Sequence, residues 1–231
     1  MFEEKSSYSI AETQSELFAG LMMIFLFVAI SFMLETKSKN DDIVKQQQTI
    51  YKITNDWAGT RQSIYRDLYQ EFKNDLPVWN ATLETDLTIR FNEPDMLFDN
   101  GSSFLKNQFK LILDDFWPRY IKVLKKYNKN LSEIKIEGHT SSIWSKHSTK
   151  SQSYYKNMKL SQERTIETLA YCMLVTPEYE NFIIEKVTAN GKSFSKMIKD
   201  KNGKISEKLS RRVEFSINTN DKEIIDAINS L

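Results

Sequence analysis

Residues 17–34 read LFAGLMMIFLFVAISFML, eighteen consecutive residues that carry no charge and have Ser31 as their one polar side chain. As a helix rising 1.5 Å per residue, this stretch is about 27 Å long, close to the roughly 30 Å hydrocarbon core of a bilayer. A buried helix of a soluble domain normally keeps a polar stripe, and this stretch has none. It therefore predicts a single transmembrane helix over residues 17–34, although the mean hydropathy of the whole chain, -0.49, is typical of a soluble protein.

A cleaved signal peptide is the main alternative to a membrane anchor. Signal peptides begin with basic residues, whereas residues 1–16 contain four Glu and one Lys. Their apolar core is about 7–15 residues long and ends in a small-x-small cleavage site, which this sequence matches poorly. We therefore expect an uncleaved anchor that follows a short tail of residues 1–16.

Lysines are distributed unevenly around the apolar stretch. Lys5 precedes it, and the lysines that follow it closely are Lys37, Lys39, Lys45 and Lys52. The positive-inside rule places the more basic flank in the cytoplasm, which favours a receptor whose C-terminal part faces the cytoplasm. The motifs of the C-terminal part, described below, favour the opposite orientation, and the sequence leaves this conflict open.

The composition excludes several classes of protein. The 231 residues contain 32 Lys and Arg against 31 Asp and Glu, so no basic field favours nucleic acid. One Cys and two His are too few for a disulfide framework or a common all-protein zinc site. The chain has no phosphate-binding glycine loop, no Ser-His-Asp order and no metal-ligand spacing. We therefore predict that the protein is not an enzyme and binds no cofactor or metal. Cys172 is expected in the core, and His139 is expected to be a structural residue of a turn.

Residues 35–82 are predicted to form a helical stalk. Apolar residues recur there first every seven and then every four positions, at Ile43, Ile50, Trp57, Ile64, Leu68, Phe72 and Leu76. This pattern is consistent with pairing to a second helix through a short seam, and equally with packing onto the following domain. Pro77 is a natural end for the helix.

Residues 83–220 are predicted to form an α/β sandwich of order β-α-β-α-β-β, followed by a tail of residues 221–231. The predicted strands are Leu87–Phe91, Glu133–Glu137, Phe182–Thr188 and Arg212–Ile217, and the predicted helices are Ser102–Tyr127 and Ser161–Val175. Ser161 is the expected N-cap of the second helix. The apolar face expected for that helix consists of Ile166, Leu169, Ala170, Met173 and Leu174.

Four short motifs occur at the ends of these elements. They are Phe98-Asp99-x-Gly101-Ser102, Gly138-His139-Thr140, Leu160-Ser161-x-x-Arg164 and Ser210-Arg211-Arg212-Val213-Glu214. In this order they resemble the OmpA-like peptidoglycan-binding domain over roughly residues 85–218. The peptidoglycan-binding residues that the resemblance implies are Thr140, Ser141, Asn157, Leu160, Ser161, Arg164 and Arg212, with Arg212 more typical of a residue that braces the site.

One position departs from the family pattern. In the family, Arg164 would bind a carboxylate of the peptide, and an Asp after the Gly-His-Thr turn would bind the ammonium of diaminopimelate. Ser141 stands at the position of that Asp. A hydroxyl can accept a hydrogen bond but cannot neutralise an ammonium, and the segment from Ser141 to Leu160 is longer than usual. Peptidoglycan binding is therefore expected to be weakened, altered or rebuilt.

Glu16 directly precedes the uncharged stretch. Taken alone, its spacing from Thr13 matches a capping box, and the helix dipole favours a carboxylate in a first turn. A carboxylate at a membrane boundary can also alternate between charged and neutral forms and so carry a proton. Glu16, Met22, Phe25 and Leu26 match the transmembrane helix of MotB-type stator subunits, in which an Asp at this point carries the ion.

An anchor, a helical stalk and an OmpA-like domain in this order resemble the layout of MotB-type stators, which includes subunits of anti-phage defence systems. The resemblance implies a subunit of an ion-driven motor in the bacterial inner membrane, with the N-terminus cytoplasmic and the C-terminal domain periplasmic. Its expected partners are a second copy, a ring of multi-helix A-type subunits and peptidoglycan. The alternative is a passive membrane-anchored peptidoglycan tether without ion transport.

Overall fold

The computed structural model describes residues 2–92, 94–220, 225–226 and 228, and the chain forms two units, one within residues 1–55 and one that begins at Asp56. The first helix, α1, covers Phe2–Phe72. Its uncharged stretch has a mean hydropathy of 2.6 over eighteen residues, and the large apolar side chains there are between 44% and 73% exposed. The predicted stretch is therefore helical, long and apolar enough to cross a membrane, and its side chains are not covered within the described chain.

The last turns of α1 are part of the core of the second unit. Ile64, Leu68 and Phe72 have no exposed surface, and Leu76 and Trp79 extend the same core beyond the end of the helix. Ile43 is half-exposed. Of the two arrangements left open for the stalk, packing onto the domain therefore applies from Ile64 onward.

The second unit contains a five-stranded sheet with helices between its strands. In chain order the elements are β1 (Ala81–Leu83), β2 (Ile89–Phe91), α2 (Pro94–Leu97), α3 (Asn107–Lys125), β3 (Leu131–His139), α4 (Lys150–Val175), α5 (Glu180–Lys186), β4 (Val187–Gly191), α6 (Glu207–Ser210) and β5 (Arg212–Thr219). The sheet order is β1-β2-β5-β3-β4, and all pairs are antiparallel except β3 with β4. The predicted β-α-β-α-β-β order corresponds to β2 through β5, and β1 is an additional strand.

Side chains alternate between the two faces of the sheet along each strand, so the apolar residues of the strands share one face. The helix α3 packs against that face. Phe91 and Phe215 point to this face, and both of their rings contact Phe116 of α3, at centroid distances of 5.3 and 5.0 Å. Trp117 is fully buried beside them, and its indole nitrogen donates to Thr176 Oγ1 at 3.1 Å. The opposite face of the strands carries charged side chains, including Arg90 and Glu214.

The predicted strand Phe182–Thr188 is wrong over most of its length. Residues Glu180–Lys186 form α5, and the strand β4 begins at Val187, where it pairs with Ile134 of β3. The neighbouring residues Phe182 and Ile183 are both buried, whereas Ile184 is exposed, a pattern that fits a helix end rather than strand alternation. The first predicted helix also begins later than expected, at Asn107, with Pro118 inside it.

The second predicted helix is longer than expected and begins at a different cap. α4 begins after Thr149, whose hydroxyl accepts from the Gln152 amide at 3.2 Å while the Gln152 side chain accepts from the Thr149 amide at 3.0 Å. The prediction that Ser161 is the N-cap is therefore wrong, since Ser161 lies in the middle of α4. The helix covers the second half of the segment between Ser141 and Leu160.

The predicted apolar face of α4 is also wrong in part. Ile166 and Leu174 are 51% and 74% exposed, although Leu169 and Met173 do pack against the core. The fully buried residues are instead Ser161, Thr165, Thr168 and Cys172. The side chains on this face are small because α4 approaches the sheet closely at Gly138 and Gly191. Its hydroxyls are satisfied locally; Thr168, for example, donates to the Arg164 carbonyl at 2.8 Å.

Candidate functional site

A cleft of about 290 Å³ lies where the loop before α3, the turn after β3 and the helix α4 meet. We call it the α4 cleft. It is lined by Phe98, Asp99, Asn100, Gly101, Thr140, Ser141, Ile143, Trp144, Asn157, Leu160, Arg164 and Arg211. Five of the seven residues predicted for peptidoglycan binding therefore line one cleft. Ser161 and Arg212 do not.

Arg164 is held in a fixed position at the base of the α4 cleft. Its Nε donates to the Ser102 carbonyl at 2.8 Å and its Nη2 donates to the Asp99 carbonyl at 3.0 Å. Its guanidinium carbon lies 4.7 Å from the centroid of the Phe98 ring. Among the described residues these partners are carbonyls and a ring rather than a carboxylate, so the positive charge remains available to an anionic ligand.

Burial and the nearby charge of Arg211 together lower the pKa of Arg164 to about 10. Arg164 is therefore still a cation at neutral pH, in a place where removal of water strengthens its attraction for an anion. The motif Phe98-Asp99-x-Gly101-Ser102, which the sequence showed only as a segment before a helix, supplies both carbonyls and the ring. Its contribution to the site is to orient Arg164.

Ser141 lies at the cleft, and the next residue, Ser142, donates two hydrogen bonds to the carboxylate of Glu207. Ser142 donates from its amide to Glu207 Oε2 at 2.7 Å and from its hydroxyl to Glu207 Oε1 at 2.6 Å. These two bonds join the start of the 141–149 loop to α6. Asp99 is the one acidic residue among the described cleft residues, and its carboxylate pairs with Lys106 at 3.0 Å.

Thr140 Oγ1 and Asn157 Nδ2 belong to cleft residues and have no hydrogen-bond partner among the described atoms, and both residues are 3% exposed. A buried polar group without a partner costs about 1–3 kcal/mol. A ligand that supplies one acceptor and one donor or acceptor here would remove that cost.

Two apolar side chains of the 141–149 loop were not recognised in the sequence as site residues. Ile143 and Trp144 both line the α4 cleft and are 67% and 38% exposed. The ammonium of Lys156, on α4, lies 5.7 Å from the centroid of the Trp144 ring. The signal in the sequence was only that two large apolar residues occur side by side in the long segment between Ser141 and Leu160.

Arg212 lies in a buried ion-pair network on the polar face of the sheet. Glu214 Oε1 accepts from Arg212 Nε at 2.7 Å and from Arg90 Nε at 2.6 Å, while His139 Nε2 lies 3.1 Å from Glu214 Oε2. Burial would raise the pKa of Glu214, but His139 and Arg212 hold it well below its usual range. Arg212 thus braces the strand rather than lining the cleft.

Burial also lowers the pKa of His139, against the opposing attraction of Glu214, so the neutral imidazole is favoured. Oxygen and nitrogen atoms of Glu137, His139 and Glu214 lie within 4.8 Å of one another, as ligands of a metal would. The carboxylates are already paired, Glu214 with two arginines and Glu137 with Lys192 at 3.0 Å. This balance of charge disfavours a bound cation.

Ser161 positions α4 and does not reach the cleft. Its hydroxyl accepts from the Ser193 amide at 3.0 Å, just after β4. A Cβ placed on Gly191 would lie 2.5 Å from the Gln162 amide nitrogen, and one on Gly138 would lie 2.8 Å from the Ser161 carbonyl oxygen. These two glycines therefore allow the close approach that places Arg164 over the loop before α3.

Comparison with known proteins gives relatives in both sequence and structure. No protein-family model matches the chain. The Zorya protein ZorB of Escherichia coli is 39% identical over 211 residues, which cover 90% of this chain and 87% of that protein. A MotB-like protein from Desulfovibrio vulgaris superposes with a TM-score of 0.52 at 18% identity, over 71% of this chain and 98% of that one. The periplasmic domain of Helicobacter pylori MotB aligns with a TM-score of 0.41 at 16% identity, over 61% and 82% of the two chains.

The long N-terminal helix is present in the structure, and the match to the Desulfovibrio structure confirms the predicted fold class of the C-terminal sheet domain. At 18% identity the likeness is one of fold. The sequence relationship is closer and extends over nearly the whole chain. Because identity reaches 39% across 90% of its length, the chain belongs to the ZorB family.

Proposed function

We propose that the chain is the B-type stator subunit of an ion-driven motor in the bacterial inner membrane, acting in anti-phage defence. Glu16 carries the ion, and the C-terminal domain binds peptidoglycan through the α4 cleft. Two copies act together within a ring of A-type subunits. The chain itself catalyses no reaction.

The observation that carries this proposal is the position of Glu16. Its side chain is exposed on α1, directly before the eighteen uncharged residues of the apolar stretch. The first ionisable residue after that stretch is Glu35, which pairs with Lys39 at 2.7 Å. Among the described side chains Glu16 has no ion-pair partner, so its charge is free to respond to a neighbouring helix.

The mechanism uses the difference between the two forms of this carboxyl group. A carboxylate is costly within a bilayer and a neutral carboxyl group is much less so. Glu16 accepts a proton from the outer side, and the loss of charge changes its contact with the A-type ring. Release of the proton to the inner side restores the charge and completes the cycle. The proton acts here as a ligand, and a ligand shifts an equilibrium between two arrangements only if it binds one of them more strongly. The change of charge at Glu16 supplies that difference between the two arrangements of its contact with the ring.

The C-terminal domain supplies the fixed point that a stator needs. Arg164 is a buried cation at the base of an open cleft, suited to a carboxylate of a cell-wall peptide. Binding to purified sacculi tests this role, with Arg164→Ala as the variant and Lys159→Ala, an exposed position on the same helix, as the control. We expect Arg164→Ala alone to remain in the supernatant. Sedimentation of both variants with the sacculi would contradict the role.

Substitution of Glu16 tests the ion-carrying role. In cells that also express the A-type subunit, Glu16→Gln should abolish protection against phage, whereas Glu35→Gln should retain it, since Glu35 lies at the other end of the stretch. Purification of the A-type subunit together with both variants controls for assembly. Full protection by an assembled Glu16→Gln variant would favour the passive tether instead.

The orientation is tested separately because the lysines after the apolar stretch favour the opposite one. Alkaline phosphatase fused after Leu231 is active only when it is exported to the periplasm. We expect activity from this fusion and none from a fusion placed within residues 1–16. The reverse result would favour the cytoplasm-facing receptor.

A further inference from the structure

The charges of the α4 cleft do not suit an ammonium group. Arg164 and Arg211 both line it, and the carboxylate of Asp99 is engaged by Lys106. Ser141 is neutral, and the carboxylate of Glu207 accepts hydrogen bonds from both donors of the neighbouring Ser142. An ammonium placed here would face two cations and no unengaged carboxylate among the described residues. A ligand must therefore gain its affinity from other groups.

Trp144 provides a different kind of contact. It belongs to the 141–149 loop, which is tied at its start to Glu207 and at its end to the capping box of Thr149 and Gln152. The Trp144 ring lines the cleft, and 38% of the residue is exposed. Because both ends of the loop are held, Trp144 has fewer positions available before a ligand arrives, which lowers the entropy lost on binding.

An aromatic face beside polar groups suits a pyranose ring. The Lys156 ammonium lies over one face of the Trp144 ring, 5.7 Å from its centroid, so the opposite face is the one offered to a sugar. The negative face of an indole attracts the polarised C–H groups of a sugar, and the sugar's hydroxyl and acetamido groups then need polar partners. Two such partners are present as Thr140 Oγ1 and Asn157 Nδ2, which are buried and have no partner among the described atoms. Asn157 Nδ2 is a donor and suits an acetamido carbonyl.

We propose that the α4 cleft binds an N-acetylated sugar of the glycan strand on Trp144 together with a peptide carboxylate on Arg164. This inference rests on the proposed peptidoglycan binding and names the part of the polymer that the cleft recognises. The sugar contact takes the place of an ammonium contact at Ser141. Glu207 is a positioning residue, because it acts through the loop that carries Trp144.

Calorimetric titration of the full-length protein in detergent tests the proposal with two soluble ligands. The first is a disaccharide-tripeptide released from peptidoglycan that contains diaminopimelate, and the second is the same tripeptide without the sugars. We expect the disaccharide-tripeptide to bind more tightly than the free tripeptide. Trp144→Ala should weaken the first ligand about tenfold, which corresponds to about 1.4 kcal/mol, and leave the second unchanged.

The variants and controls separate a lost contact from lost folding. Trp144→Phe keeps an aromatic face and should recover most of the affinity. Tyr155→Ala removes an aromatic side chain that is 73% exposed and does not line the cleft, so it should bind both ligands normally. Equal affinity of the wild-type protein for both ligands, or an equal loss of both in Trp144→Ala, would overturn the sugar contact while leaving peptidoglycan binding intact. Binding of neither ligand by the wild-type protein would overturn the sugar contact and the proposed peptidoglycan binding together.

Discussion

Leu68 offers a direct test of the finding that the last turns of α1 belong to the C-terminal domain. Its side chain is fully buried, between the equally buried Ile64 and Phe72 on the same face of the helix. Leu68→Ala removes one methine and two methyl carbons, and such a loss at a buried site costs about 2–5 kcal/mol, since the cavity is only partly refilled. Domains of this size are stable by about 5–15 kcal/mol, so Leu68→Ala should leave a folded but much weaker domain.

The measurement is urea unfolding of a soluble fragment, residues 56–231, followed by circular dichroism. Gln62→Ala, an exposed position on the same helix, is the control and should change the free energy of unfolding by less than about 0.5 kcal/mol. A second fragment that begins at residue 83 lacks Ile64, Leu68, Phe72, Leu76 and Trp79, a loss on the order of 10–20 kcal/mol. We expect it to remain unfolded. A cooperative unfolding transition in that shorter fragment would refute the inclusion of α1 in the core.

Three further predictions concern the parts that surround the α4 cleft. The pKa of His139 is lower in the folded state than in the unfolded chain, so the free energy of unfolding should have its full value above about pH 6.5 and fall below that pH by at most about 1.4 kcal/mol per pH unit. Urea unfolding between pH 8 and 5.5 should show this slope. His139→Gln should remove the slope, whereas His147→Gln, at an exposed position, should keep it. Gly191→Ala should lower the free energy of unfolding by about 1–3 kcal/mol and reduce binding to sacculi, because the new Cβ would displace α4. Gly59→Ala is the control and should be neutral or stabilising, since a Cβ there would have no atom within 4 Å. Equal thermal midpoints for the two variants would contradict this. Ser141→Asp adds a carboxylate at position 141, where the cleft has a neutral side chain, and should raise the calorimetric affinity for a free diaminopimelate tripeptide about tenfold. An unchanged affinity would show that the ammonium does not reach position 141.

Sequence patterns correctly predicted the helices and strands whose own residues carry the pattern. The uncharged stretch 17–34, the predicted strands at β3 and β5 and the predicted helix at α3 all correspond to elements of the structure. The strand at 182–188 was misplaced because β4 has only one buried apolar residue, Val187, while the neighbouring helix α5 is the more apolar segment. In β4 the parallel pairing to β3, rather than its own hydrophobicity, makes the strand.

The helix α4 shows a different limit of sequence reasoning. Its buried face is made of small and hydroxylated residues such as Ser161 and Thr165, which look solvent-exposed when hydrophobicity is the guide. They are buried because Gly138 and Gly191 let the helix approach the sheet at backbone distance, where larger apolar side chains would not fit. The capping box at Thr149 was present in the sequence and marked the true start of the helix.

The sequence by itself determined the uncharged stretch with Glu16 at its edge and the motif residue Arg164, because charge and motif order are properties of the chain. Only the tertiary structure decided which residues share the α4 cleft. It placed Trp144, Asp99 and Arg211 in the same cleft as Arg164 and put Ser161 and Arg212 elsewhere. The physical reason is that the loop before α3, the turn after β3 and the middle of α4 are distant in sequence, and the packing of α4 against the sheet brings them together.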